Sequence, residues 1–194
     1  PSSNMPWLTG DPLLNYLEQV PVRVGLDALP LRFPVQHVIR PLRVGYYDYR
    51  GYAGSIASGV LNKGDRVRIL PSGHETVVTT IETPRGPVEQ ASAPDAVIIC
   101  LADDFDITRG EMVCSLDEWP QTSKTVGAIV CWMDEQRAMY QGEIYRIKQA
   151  TRSTKALVNE IEARFNLTSL KGEPEPKSLQ LNEIGRVSLE VSVP

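Results

Sequence analysis

The sequence predicts an all-β protein of two β units preceded by one short α-helix. Three observations carry this. From residue 29 onward apolar and polar residues alternate, as Phe33, Val35, His37 and Ile39 do around Gln36 and Arg40. That is the period of a half-buried strand. Short β-branched runs such as Val77-Val78-Thr79-Thr80-Ile81 recur at roughly ten-residue spacing, as in sandwiches and barrels. Glycine (14) and proline (15) supply many turns, and aromatic residues make up only 7% of the chain. Such a composition suits an all-β chain with short strands.

The elements follow in order. Residues 1–9 read as loop. Asp11 can cap a helix N-terminus with its carboxylate, and Pro12 suits the first helical position, where its missing N–H costs nothing. Leu13, Leu14, Leu17 and Val20 follow at helical spacing, and Pro21 ends the run. This apolar face has no helical neighbour and must pack on something, a further domain being one candidate. The strand around residues 33–39 is punctuated by Pro30, Pro34 and Pro41, which marks an edge or a barrel corner. Its alternation puts His37 on the apolar face, where a core histidine is expected. Residues 55–57 and 66–70 read as strands, with a Gly64-Asp65 turn before the second. Residues 71–73 form the next turn, 77–81 a strand and 83–95 a polar loop. The apolar run 96–101 reads as a strand covered on both faces. Residues 111–114 close the first unit.

Residues 117–123 read as a linker. The second unit begins with the strand 126–133, and 143–148 alternates cleanly. Residues 155–167 fit both helical and strand spacing; the all-β surroundings select strand. A polar loop over 170–177 precedes strands at 179–181 and 187–191.

A chain of 194 residues buries a core without metal or disulfide staples. Its net charge is −4, yet residues 30–116 carry nine basic and ten acidic side chains, and residues 124–194 ten and nine. The surplus sits in the N-terminal lead and at Asp117-Glu118. Neither β unit has the field that draws phosphate backbones, so no nucleic-acid partner is expected. The three cysteines, Cys100, Cys114 and Cys131, lack zinc or disulfide spacing. Cys100 and Cys131 lie in apolar runs and read as buried thiols, which fits a reducing cytoplasm. No apolar run reaches membrane-spanning length, so no membrane partner is expected.

No phosphate-cradling glycine loop and no nucleophile elbow occurs. The two histidines stand apart from any nucleophile. Asp103, Asp104 and Asp106 lack the further ligands of a calcium loop and read as a solvated turn. No catalytic, cofactor-binding or metal residue is assigned. The tyrosine-rich hairpin at 46–52 and the turn at 71–74 supply a candidate partner-contact surface: Tyr47, Tyr49, Arg50, Tyr52, Ser72 and His74. Arg43 and Arg50 add a possible anion contact.

The run from Arg50-Gly51 through Gly54, Ile56, Gly59 and Gly64-Asp65 to Val67 resembles the core motif of the β-barrel that follows the nucleotide domain in translation-type GTPases such as elongation factor Tu. Asp106-Ile107-Thr108-Arg109-Gly110-Glu111 resembles the element before that barrel's last strand. Within the superfamily, Met5-Pro6-Trp7 with Gly10-Asp11-Pro12-Leu13-Leu14, and Leu70-Pro71-Ser72-Gly73, are similar to the large subunit family of bacterial ATP sulfurylase. Val130-Cys131-Trp132-Met133-Asp134-Glu135 and Leu181-Asn182-Glu183-Ile184-Gly185 resemble its second-barrel signatures. Pro94, where elongation factors carry glycine, points the same way.

The resemblance implies two elongation-factor-Tu-like Greek-key β-barrels, the second incomplete. Residues 1–28 would end the GTPase domain, 29–116 form the first barrel (domain II), 117–123 the linker and 124–194 the second barrel (domain III). It implies a parent that couples GTP hydrolysis to making adenosine 5′-phosphosulfate from ATP and sulfate. GTP and Mg²⁺ would sit in a G domain outside this chain, and none of their ligands can be placed here. The implied partners are that G domain and the small catalytic subunit, with self-association through the incomplete barrel. The chain alone is expected to be non-catalytic. An RNA-binding barrel pair of a translation elongation factor is the alternative.

Overall fold

A computed structural model describes residues 4–7, 10–20, 25–41, 49–166, 169, 171–174 and 176–193. Among them one α-helix, α1 (Leu13–Gln19), precedes a 3-10 turn (Leu26–Ala28) and two β units. The helix begins one residue later than Asp11 predicts. Pro12 takes the capping position, its carbonyl accepting from the Tyr16 N–H, and no side chain caps the helix. The helical spacing is as expected, but α1 buries nothing: Leu13 is 72% exposed, Leu14 66% and Leu17 59%.

The first unit comprises β1 (Arg32–Ile39), β2 (Gly51–Ser55), β3 (Val60–Asn62), β4 (Arg66–Leu70), β5 (Glu75–Thr83), β6 (Gly86–Val88), β7 (Gln90–Ser92), β8 (Ala96–Leu101) and β9 (Met112–Ser115). Strands pair in the order β4-β9-β1-β2-β8-β5, and β4 pairs back to β5, closing a barrel. Strand β6 extends β5, and β3 pairs with β7 as a separate ribbon. Closure removes the free edges that a sheet otherwise exposes. Phe33, Val35, Ile56, Leu61, Val67, Ile69, Val78, Ile81 and Ile99 fill the interior, each no more than 1% exposed.

The glycine-rich run has a visible cause. Gly59 has φ +81°, and a Cβ there would lie 2.5 Å from the Leu31 Cα, so only glycine lets the chain pass. Its N–H donates to the Leu26 carbonyl at 2.6 Å, tying the 3-10 turn onto the barrel. Further on, the Asp65 carboxylate accepts from the Asn62 N–H at 2.8 Å and from the Asn62 amide at 3.1 Å, fixing the turn into β4.

The second unit comprises β10 (Thr125–Cys131), β11 (Met139–Tyr140), β12 (Ile144–Gln149), β13 (Arg152–Phe165), β14 (Gly172–Pro174), β15 (Ser178–Leu179) and β16 (Ile184–Val191). The run 155–167 that fitted both periods is mostly strand: β13 covers it to Phe165 and pairs with β16, β12 and β14. Among the described residues the main sheet runs β10-β16-β13-β12 without closing, so β10 and β12 are its edges. Val158, Ile161, Leu179 and Val187 form a second core. Val126, Ala128 and Val130 on β10 and Tyr145 and Ile147 on β12 pack against it and are themselves half-buried. Between the units, Glu118 accepts from Arg32 at 2.8 Å through its carbonyl. The Arg68 guanidinium lies 3.8 Å above the Trp119 ring. Both contacts hold the connecting segment on the first barrel.

Several expectations change. His37 is exposed, because Val35 faces Gly54 while His37 faces Ala53. Gln36 is therefore an extra residue, and this bulge reverses the alternation beyond it. The polar loop 83–95 contains β6 and β7, whose short pairings need little apolar surface. The loop 170–177 contains β14, held by β13. Cys131 is exposed rather than buried, since its edge strand has no cover on that face; Cys100 is half-buried and Cys114 buried.

Candidate functional site

The sequence-predicted contact residues divide. Tyr47 lies outside the described residues. Tyr49 and Arg50 lead into β2, half-buried, while Ser72 and His74 lie exposed in the turn between β4 and β5. Tyr52, expected at the surface, belongs to the core at 1% exposure. It sits on the inward phase of β2, and its hydroxyl donates to the Phe105 carbonyl at 2.9 Å.

Phe105 is the residue that sequence reasoning missed. Arg50 donates to the same carbonyl at 2.7 Å. The His74 ring stacks on the Phe105 ring, with centroids 4.6 Å apart and planes 6° from parallel. Two segments far apart in sequence, the approach to β2 and the β4–β5 turn, thus meet on the loop after β8. A lone aromatic among aspartates was the available signal.

The aspartates are fastened rather than free. Asp104 pairs with Arg50, Asp106 with Arg40 at 3.3 Å, and Asp103 accepts from the Thr76 hydroxyl at 2.8 Å. Thr76 is buried. This accounts for an acidic loop that needs no cation to hold its shape. Among the described residues no group of three His, Cys, Asp or Glu side chains is placed to hold a metal ion.

Beside this loop a cavity of 840 Å³ is lined by Arg40, Tyr49, Arg50, Thr80, Glu82 and Asp104, among others. Tyr49 donates to Glu82 at 3.3 Å. Burial, then the neighbouring Cys100 and Glu82, push its phenol well above the usual tyrosine value. The Thr80 hydroxyl is buried without a hydrogen-bond partner. Cations and carboxylates are intermixed and partly paired, so the face offers directional polar contacts without a net field. That suits recognition of a protein surface, in which polar groups confer register more than affinity.

Burial also raises the Tyr52 phenol, an effect that Arg50 partly offsets. A folded value above the unfolded one, near 10, contributes stability that is fully present below pH about 10. That stability is lost as pH rises through the folded value. The denaturant midpoint of the first barrel should therefore hold to about pH 9 and fall beyond 10. Tyr52→Phe should flatten the alkaline fall while costing about 1 kcal/mol at pH 8 for the lost hydrogen bond. An unchanged alkaline slope in the variant would contradict the placement of Tyr52.

A closed barrel bearing the glycine-spaced loop, followed by a second β unit, is the arrangement of elongation-factor-Tu-like β domains. Residues 52–114 match the elongation factor Tu domain 2 family. Residues 125–194 match the eEF1A C-terminal domain-like family. The same fold occurs in the crystal structure of Sup35 complexed with GDP, with a TM-score of 0.78 at 18% identity, over 97% of this chain and 45% of that one. Elongation factor SelB from Methanococcus maripaludis gives a TM-score of 0.68 at 17% identity, over 93% of this chain and 39% of that one.

The particular relatives are sulfate adenylyltransferases, and the chain is a homologue of sulfate adenylyltransferase subunit 1. It is 40% identical over 200 residues to that subunit from Shewanella oneidensis, covering 99% of this chain and 39% of the relative. It is 40% identical over 193 residues to the bifunctional enzyme CysN/CysC of Mycobacterium tuberculosis, covering 100% of this chain and 31% of the relative. The chain thus spans well under half the length of the curated relatives it matches.

Proposed function

We propose that this chain is the barrel region of a GTPase subunit of sulfate adenylyltransferase, acting in domain coupling and in docking the small catalytic subunit. The supporting observation is the identity of about two residues in five with sulfate adenylyltransferase subunit 1, sustained across almost the entire chain. The parent would couple GTP hydrolysis to formation of adenosine 5′-phosphosulfate from ATP and sulfate in the cytoplasm, with GTP and Mg²⁺ held by a G domain. The exposed leucines of α1 support a contact with that domain, since an apolar stripe at helical spacing stabilises only when covered. The face around Phe105, with Tyr49, Arg50, Ser72 and His74, is the proposed surface for the small subunit. The likeness to Sup35 and SelB, below one residue in five, supports the fold alone.

Nucleotide turnover tests the division of labour. The purified chain should hydrolyse neither GTP nor ATP above a buffer control; robust turnover would overturn the reading. The open sheet gives a second expectation. Edges β10 and β12 carry Ile129 at 67% and Ile144 at 64% exposure. Such edges template pairing with another copy. Light scattering should show association rising with concentration, reduced by Ile129→Lys with Ile144→Lys. A monomer at every concentration would contradict it.

A further inference from the structure

We infer that the seam between the two β units is a binding site for a small multivalent oxyanion, of the sulfate or phosphate class. A cavity of 490 Å³ lies there, lined by Arg109 from the loop before β9 and by Lys148, Thr151, Arg152 and Ser153 from the tip of the β12–β13 hairpin. Among the described residues no carboxylate lines it. Most arginines near the Phe105 face are ion-paired, but Arg109, Lys148 and Arg152 form no ion pair among the described residues. Three unpaired cations around one concavity repel one another and gain from an anion placed between them.

Two independent features mark the site as built. The Thr151 hydroxyl is buried without a hydrogen-bond partner in a lining segment, a state that costs free energy unless something satisfies it. Gly110 has φ +99°, and a Cβ there would lie 3.2 Å from the Arg152 Cα and Cβ. The glycine lets the first barrel's loop seat directly on the hairpin, and this brings Arg109 to Arg152. Planar guanidinium groups match tetrahedral oxyanions in a bidentate manner. The ligand is therefore a free oxyanion or the anionic end of a nucleotide.

This inference goes beyond the docking role and does not depend on it: anion binding without subunit docking would sink the docking reading alone. The test is calorimetric titration of the full chain at low ionic strength with sodium sulfate and, separately, sodium pyrophosphate, against a chloride control. Saturable binding of either anion is expected, with tighter pyrophosphate binding indicating a phosphoanhydride end. Arg109→Gln and Arg152→Gln should each weaken it by about tenfold or more, the loss of one charge-assisted hydrogen-bonded contact. Arg85→Gln, on the exposed β5–β6 turn, should leave affinity unchanged, and circular dichroism checks that each variant folds. Absence of binding by either anion up to about 10 mM would overturn the assignment. Equal weakening in all three variants would also overturn it, because that would reflect net charge alone.

Discussion

Gly59→Ala should destabilise the first barrel by about 2–5 kcal/mol, adding a left-handed backbone penalty to an overpacking cost. The residue has φ +81°, and its added methyl would meet the Leu31 Cα at 2.5 Å, the Leu31 nitrogen at 2.6 Å and the Leu29 carbonyl oxygen at 2.9 Å. All three are backbone atoms, so no rotamer change relieves the clash. Relief requires the segment before β1 to move, and that breaks the Gly59 N–H bond to Leu26. Urea unfolding followed by circular dichroism should show the lowered midpoint. A loss below about 1 kcal/mol would mean that the two backbone segments do not pass as closely as described.

Phe33→Ala should cost about 3–5 kcal/mol, the range for removing a buried aromatic side chain. Phe33 is fully buried in the first core, with its ring facing Gly54 on the neighbouring strand. A Cβ at Gly54 would lie 3.1 Å from the ring's Cζ, so the glycine is part of the space the ring occupies. The cavity left by alanine has little route to collapse inside a closed ring of strands. Ile129→Ala is the matched comparison: at 67% exposure it should change stability by no more than about 0.5 kcal/mol. Comparable losses in the two variants would contradict the placement of the core.

The sequence disclosed the architecture more fully than the site. Alternation and β-branched runs locate most long strands, because burial on one face imposes a period of two. Short ribbons such as β6 and β7 escape that signal, since their pairing is backbone hydrogen bonding with little apolar demand. His37 shows a different failure. A single inserted residue, Gln36, reverses the inward phase, and no local composition marks the insertion. Tyr52 and Phe105 show why the contact face was only partly legible. The tyrosines at 49 and 52 are near in sequence and both border the cavity, yet Tyr49 is half-buried and Tyr52 belongs to the core. Phe105, which joins Arg50, Tyr52 and His74, acts through its carbonyl as much as through its ring. A backbone acceptor leaves no trace in residue type. The cations at the seam were likewise invisible, because Arg109 and Arg152 are distant in sequence and become neighbours only through Gly110.

The most direct test of the docking claim is a binding measurement on the purified chain, offering the sulfate adenylyltransferase small subunit and, separately, tRNA. Stable capture of the small subunit, with tRNA binding absent at physiological salt, is the predicted result. Steeply salt-dependent tRNA binding without capture of the small subunit would contradict it and assign the barrels to RNA recognition instead.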